Sequence, residues 1–229
     1  MMIIRPLNRA EVRSLDRLAA DHYHLPTLVL MENAGRAAAD WLRSRLSPGA
    51  SVLIACGPGN NGGDGGVVAR YLDAWGFKTR VVWFADRASI VGDAAVQHEI
   101  LASSGIDQTD WPATTCEGVD PLWRDADWLV DGLLGTGLTR PVEGLLAGVI
   151  AAMNQSGRPI LALDLPSGLD TDTGEPLGLA IHATATVTFV ARKVGFASEA
   201  AAAYLGEVHV ADIGLPRKLL EPFAIQDEG

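Results

Sequence analysis

The segment that most constrains this chain is Ser51-Val-Leu-Ile-Ala-Cys56, a short unbroken apolar run closed by turn residues on both sides. A strand without polar alternation must be covered on both faces, which is the situation inside a parallel sheet. Similar segments recur at 78–84, 127–131 and 159–164, with two more at 185–191 and 207–211 placed nearer an edge. Helical patterns fall between them at about 64–75, 92–103 and 142–154, and two further helices, 8–22 and 27–46, come first. Asn8 and Glu11 stand at capping-box spacing at the start of the first. Repeated strand–helix alternation predicts an α/β fold with a twisted, mostly parallel sheet covered by helices on both sides. Without an internal repeat, linker or composition break, the 229 residues are expected to form a single domain.

Hydrophobic residues make up 48% and charged residues 20%, so a full core can be buried. The formal net charge of −10 argues against nucleic acid and anionic membrane as partners, since both require a basic footprint. No apolar stretch approaches the roughly 20 residues of a membrane span, and the N-terminus turns polar too early for a signal peptide. Cys56 and Cys116 are too few for a disulfide framework and read as small buried residues. A reducing, cytoplasmic setting is the expectation.

Ligands of open α/β sheets bind beyond the carboxyl ends of strands. Three such ends carry residues that a fold alone does not require. The first is Gly57-Pro-Gly-Asn-Asn-Gly-Gly-Asp-Gly-Gly66, a glycine-rich turn running into a helix and able to bring backbone close to phosphate. It lacks the Walker lysine and the GxGxxG spacing, and an Asn-Gly turn with Asp64 capping the helix is an equal reading. The second is Asp127-Trp-Leu-Val-Asp-Gly-Leu-Leu-Gly-Thr-Gly-Leu-Thr-Arg140. Asp131 ends its strand and needs partners or a cation, while Arg140 offers an anion contact. A structural loop acceptor is the alternative for Asp131. The third is Ile160-Leu-Ala-Leu-Asp-Leu-Pro-Ser-Gly-Leu-Asp170, where Asp164 and Ser167 are either site residues or turn caps. There is no esterase elbow, and no histidine is placed to complete a triad.

Together these ends supply an amide oxygen (Asn61), a carboxylate (Asp131) and a hydroxyl (Ser167) on one edge of the sheet. Hard cations take mixed oxygen ligands, and one formal charge suits a monovalent ion better than calcium. No Cys or His cluster is available for zinc. Asp164 is left free for proton transfer.

Met31-Glu-Asn-Ala-Gly35, GNNGGDG at 59–65, Val130-Asp-Gly-Leu-Leu-Gly-Thr-Gly137, Asp164-Leu-Pro-Ser-Gly-Leu-Asp170 and Gly206-Glu-Val-His-Val-Ala-Asp-Ile-Gly214 occur in this order. In this combination the chain resembles the YjeF N-terminal domain family, from the first helix to about Pro216. The resemblance implies a Rossmann-like three-layer α/β/α sandwich, commonly a homodimer. It also implies the activity of the family's enzymes, which interconvert the R and S forms of hydrated NADH and NADPH (NADHX and NADPHX). By the same resemblance the substrate contacts are Asn60, Asn61, Gly62, Gly63, Asp64, Gly135, Thr136, Gly137, Leu138, Thr139, Arg140, Pro141 and Asp164. One potassium ion per subunit falls to Asn61, Asp131 and Ser167. Some members carry a lysine where Thr139 or Arg140 stands, so no catalytic lysine carries over there, and Lys193 reads as a surface or loop cation. Many members are fused to an epimer-specific dehydratase, which makes such an enzyme the functional partner. The residues from about 217 read as an acidic tail.

The hydrated ring bears its hydroxyl next to the ring nitrogen, so inversion requires that carbon to become planar. Asp164 is the expected general acid for hydroxyl departure and base for the returning water. The competing class is a non-catalytic nucleotide-binding or scaffolding protein that keeps the pocket.

Overall fold

The computed structural model describes residues 2–111 and 116–225. Two helices precede the sheet, α1 (Arg9–Tyr23) and α2 (Thr27–Arg43). The predicted capping box at α1 is present: the Glu11 N–H donates to Asn8 Oδ1 at 2.9 Å, and the Asn8 N–H to Glu11 Oε2 at 2.9 Å. Alternation then runs β1 (Ser51–Cys56), α3 (Asn60–Ala74), β2 (Lys78–Trp83), α4 (Gly92–Ser104), β3 (Asp107–Asp110), the short α5 (Asp120–Trp123) and β4 (Trp128–Gly132). It continues with α6 (Gly144–Gln155), β5 (Ile160–Leu163), β6 (Ala185–Phe189), α7 (Ala202–Leu205), β7 (Glu207–Ala211) and α8 (Arg217–Leu220).

Among the described residues seven strands form one sheet in the order β3-β2-β1-β4-β5-β6-β7, and each of these pairings is parallel. The apolar run that opened the sequence reading is the central strand β1, paired on both sides through Ile54↔Val81 and Ile54↔Val130. Its residues alternate between two cores. Val52, Ile54 and Cys56 pack with Leu15, Leu42, Val68 and Leu101 of α1 to α4, whereas Leu53 and Ala55 pack with Trp123, Val149, Ile150 and Met153 of α5 and α6. Burial of each large side chain of this kind stabilises the layers by about 1.5–3 kcal/mol. The result is a three-layer α/β/α sandwich, and strand order reverses between β1 and β4.

Two features differ from the sequence reading. β3 was not expected, because Asp-Gln-Thr-Asp has no apolar run; it forms at the sheet edge, where only one side needs pairing. Residues 217–225, read as a tail, pack on the N-terminus: α8 is followed by an Ile4↔Ala224 bridge, and the Ile225 N–H donates to Ile3 O at 2.8 Å. Among the described residues no helix is long and apolar enough to cross a membrane. Cys56 is buried and Cys116 half-buried, both as free thiols.

Candidate active site

The glycine-rich segment is less a loop than expected. α3 begins at Asn60, so Asn-Asn-Gly-Gly-Asp-Gly-Gly forms its first two turns. Glycine is required there for close approach, not for positive φ. A β-carbon on Gly62 would lie 2.0 Å from Gly57 O, and one on Gly63 would lie 2.4 Å from Met31 Cε. Asp64 lies within the helix and does not cap it; Gly59 occupies the cap position. The opening of α3 faces a cavity of about 570 Å³ beyond the carboxyl ends of β1, β4, β5 and β6.

Of the residues expected to contact substrate, Asn60, Asn61, Asp64, Gly135, Thr136, Gly137, Leu138, Thr139, Arg140 and Asp164 line this cavity. Gly62 and Gly63 are packed behind it, and Pro141 is not on its wall. The 135–140 loop is held from α1: Arg9 Nε donates to Thr136 O at 3.0 Å while the same guanidinium pairs with Asp170 at 2.6 Å. None of the five histidines lines the cavity.

Asp131, Ser167 and Asn61 form a connected buried cluster. Ser167 Oγ donates to Asp131 Oδ1 at 2.6 Å, and the Ser167 N–H donates to Asp131 Oδ2 at 2.8 Å. The Leu134 N–H donates to Ser167 Oγ at 2.8 Å, and Asn61 Nδ2 donates to Leu134 O at 2.9 Å. Asp131 is wholly buried and has no basic partner among the described residues. Burial pushes its carboxyl up to about 6, against the Ser167 and Leu133 hydrogen bonds that lower it. A buried carboxylate lacking a counter-charge, beside amide, hydroxyl and carbonyl oxygens, is a donor set that suits a hard monovalent cation. Among the described residues no cluster of three or more His, Cys, Asp or Glu offers a transition-metal site.

Asp164 follows β5 with φ of +64°, a left-handed conformation that Asp tolerates better than most residues. The backbone carries its carboxylate to a fixed place: Oδ1 accepts from the Phe189 N–H at 3.1 Å and Thr188 Oγ1 at 3.2 Å. It also meets Lys193 Nζ at 2.5 Å. Lys193 is therefore not the surface cation the sequence suggested. Its side chain is 1% exposed, and Nζ also donates to Thr188 Oγ1 at 3.0 Å and Phe189 O at 3.2 Å. Leu7 bridges to Lys193 from outside, so the N-terminal segment backs the lysine's loop. Val190, between the two, has φ of +68°, an outlier for a β-branched residue of the kind found at functional sites. The signal that finds Lys193 in the sequence is akin to the one that found Asp131 and Asp164: a polar residue at or shortly beyond the carboxyl end of a buried strand.

The Met-Glu-Asn-Ala-Gly segment is mostly structural. Met31 reaches the cavity, Glu32 pairs with Arg70, and Asn33 Nδ2 donates to Ile213 O at 2.8 Å. That last bond joins the first and last of the five sequence motifs across the fold.

A doubly wound parallel sheet whose cavity opens where strand order reverses defines a Rossmann-like α/β protein with a small-molecule site. Residues 27–195 match the family described as YjeF-related protein N-terminus, and the chain belongs to that family. It is 42% identical to the NAD(P)H-hydrate epimerase of Rhodopirellula baltica, over 96% of this chain and 88% of that one. Identity to the NAD(P)H-hydrate epimerase of Pirellula staleyi is 44%, over 96% and 97%. It is also 38% identical to the bifunctional NAD(P)H-hydrate repair enzyme of Thermofilum pendens, of which the chain covers 42%. The crystal structure of yeast ynu0 shares the fold with a TM-score of 0.80 at 20% identity, over 100% of this chain and 96% of that one.

Proposed function

We propose that this protein is an isomerase that interconverts the R and S forms of hydrated NADH and NADPH, a repair step feeding an epimer-specific dehydratase. The observation that carries it is Asp164, locked against Lys193 on the wall of a nucleotide-sized cavity, in a chain so similar to proteins named as epimerases. The first N–H groups of α3 have no partners within the helix and favour an anion, so they suit the substrate diphosphate, with the 135–140 loop and Arg140 beside them. Asp164 moves a proton at the carbon that inverts, and Lys193 orients it. Asn61, Asp131 and Ser167 would hold one potassium ion, which when bound supplies a fixed positive charge beside Asp131. The homodimer and the cytoplasmic setting belong to this proposal as properties the resemblance implies.

A coupled recovery assay tests it. Mixed hydrate epimers are given ATP and excess dehydratase specific for one epimer, and nicotinamide absorbance is followed with and without this protein. Rapid, complete recovery is the expected result. If the slow second half is unchanged with folded protein and potassium present, a non-catalytic binder takes the place of this reading.

A further inference from the structure

Inversion at the hydroxyl-bearing carbon needs two proton transfers: one to the leaving oxygen and one from the water that replaces it. Three donors converge on a single oxygen of Asp164, one of them an ammonium. Three donors aimed at one carboxyl oxygen fit a proton acceptor better than a proton donor. A second carboxyl lines the same cavity. Asp16 reaches it from α1, half-buried, and makes no hydrogen bond or ion pair among the described residues.

We infer that Asp16 is a second catalytic residue, donating the proton to the departing hydroxyl while Asp164 accepts one from the incoming water. This rests on the epimerase reading. In the step, the ring-nitrogen lone pair forms C=N⁺ as the C–O bond breaks, and its electron pair takes the Asp16 proton to give water. Water then adds to the other face, the C=N pair returns to nitrogen, and the released proton goes to Asp164. The two carboxyls exchange protonation states, which is the state the reverse epimer needs.

The charges facing Asp16 are Asp164 and Lys193 from the strand ends, Asp64 from α3, Arg13 on its own helix and Arg140 on the loop. Burial first, then Asp164, keeps Asp16 protonated up to about 6, while Lys193 opposes this. Burial pushes the Asp64 carboxyl up as well, but its side chain is almost wholly covered, which leaves Asp16 the carboxyl with better access to a bound ring.

The test uses the full chain with potassium and NADHX in the coupled assay. Wild-type epimerisation is the control; its absence sinks the functional reading and says nothing of Asp16. Asp16→Asn is expected to lower kcat by about 10²–10⁴-fold with KM changed less than about threefold. Asp16→Glu should recover part of that loss. In wild type, kcat/KM should fall as pH rises above about 6, and this limb should disappear from the residual activity of Asp16→Asn. A folded Asp16→Asn with kcat near wild type overturns the inference, as does a wild-type profile flat across that range. A large kcat loss in Asp64→Asn without one in Asp16→Asn moves the donor to Asp64 and overturns it too.

Discussion

Replacing Lys193 with methionine keeps the length of the side chain and removes its charge from a position that is 1% exposed. Asp164, 13% exposed, then faces the cavity without its cation. Breaking a buried pair by removing one partner costs about 3–5 kcal/mol. Asp164 keeps its Phe189 and Thr188 donors, so the low end, about 3 kcal/mol, applies. For a domain of this size each kcal/mol moves the midpoint by about 2–4 °C, so Tm should fall by roughly 6–12 °C. Thermal melts followed by circular dichroism at neutral pH measure it. Asp164→Asn combined with Lys193→Met should lose less than the sum of the single variants, with a coupling of about 1 kcal/mol or more, because neither charge is then stranded. A single variant melting within about 2 °C of wild type, with strictly additive effects, would refute the claim that the pair is a coupled buried unit.

Asp16 gives a pH-dependent expectation. Its carboxyl titrates higher folded than unfolded, so it favours the fold at low pH, and that advantage is lost as pH rises from about 4 through about 6. Asp16→Asn should therefore be more stable than wild type above pH 6, by on the order of 1–3 kcal/mol, and level with it near pH 4, as urea titrations at the two values would reveal. Gly62→Ala sets a β-carbon 2.0 Å from a carbonyl oxygen and should cost about 1–3 kcal/mol in denaturant melts, together with most of the activity. A melt unchanged from wild type would mean the contact is not enforced. Exchanging potassium for choline at constant ionic strength should lower both Tm and turnover, and Ser167→Ala should blunt that difference. Equal melts in the two salts would remove the cation from the proposed site.

The sheet was legible because burial on both faces leaves a mark that does not depend on context: Val52 to Cys56 of β1, Leu129 and Val130 of β4 and all of β5 are apolar. Asp131 and Ser167 were legible as polar residues at strand ends, and their direct hydrogen bond follows from β4 and β5 being neighbours. β3 left no such mark, since an edge strand can be polar. Gly62 and Gly63 read as a turn before the helix because intrinsic propensity disfavours helix there; packing of α3 against α2 and the β1 loop overrides it. Lys193 was missed because its burial depends on Leu7, far away in sequence, crossing behind its loop. Asp16 carries no local signal at all, as a charged residue on an amphipathic helix usually faces water.

The opening turns of α3 have a further consequence. Gly62, Gly63, Gly65 and Gly66 together weaken the helix by roughly 4 kcal/mol relative to alanine, and among the described residues no side chain caps its start. This stretch has almost no order of its own and borrows it from the neighbours that press on it. Disturbing any of them should loosen this wall first, while the central strands stay paired. On slow warming, catalysis would fade before the spectrum changed, so turnover would be the more sensitive gauge of whether the molecule is intact.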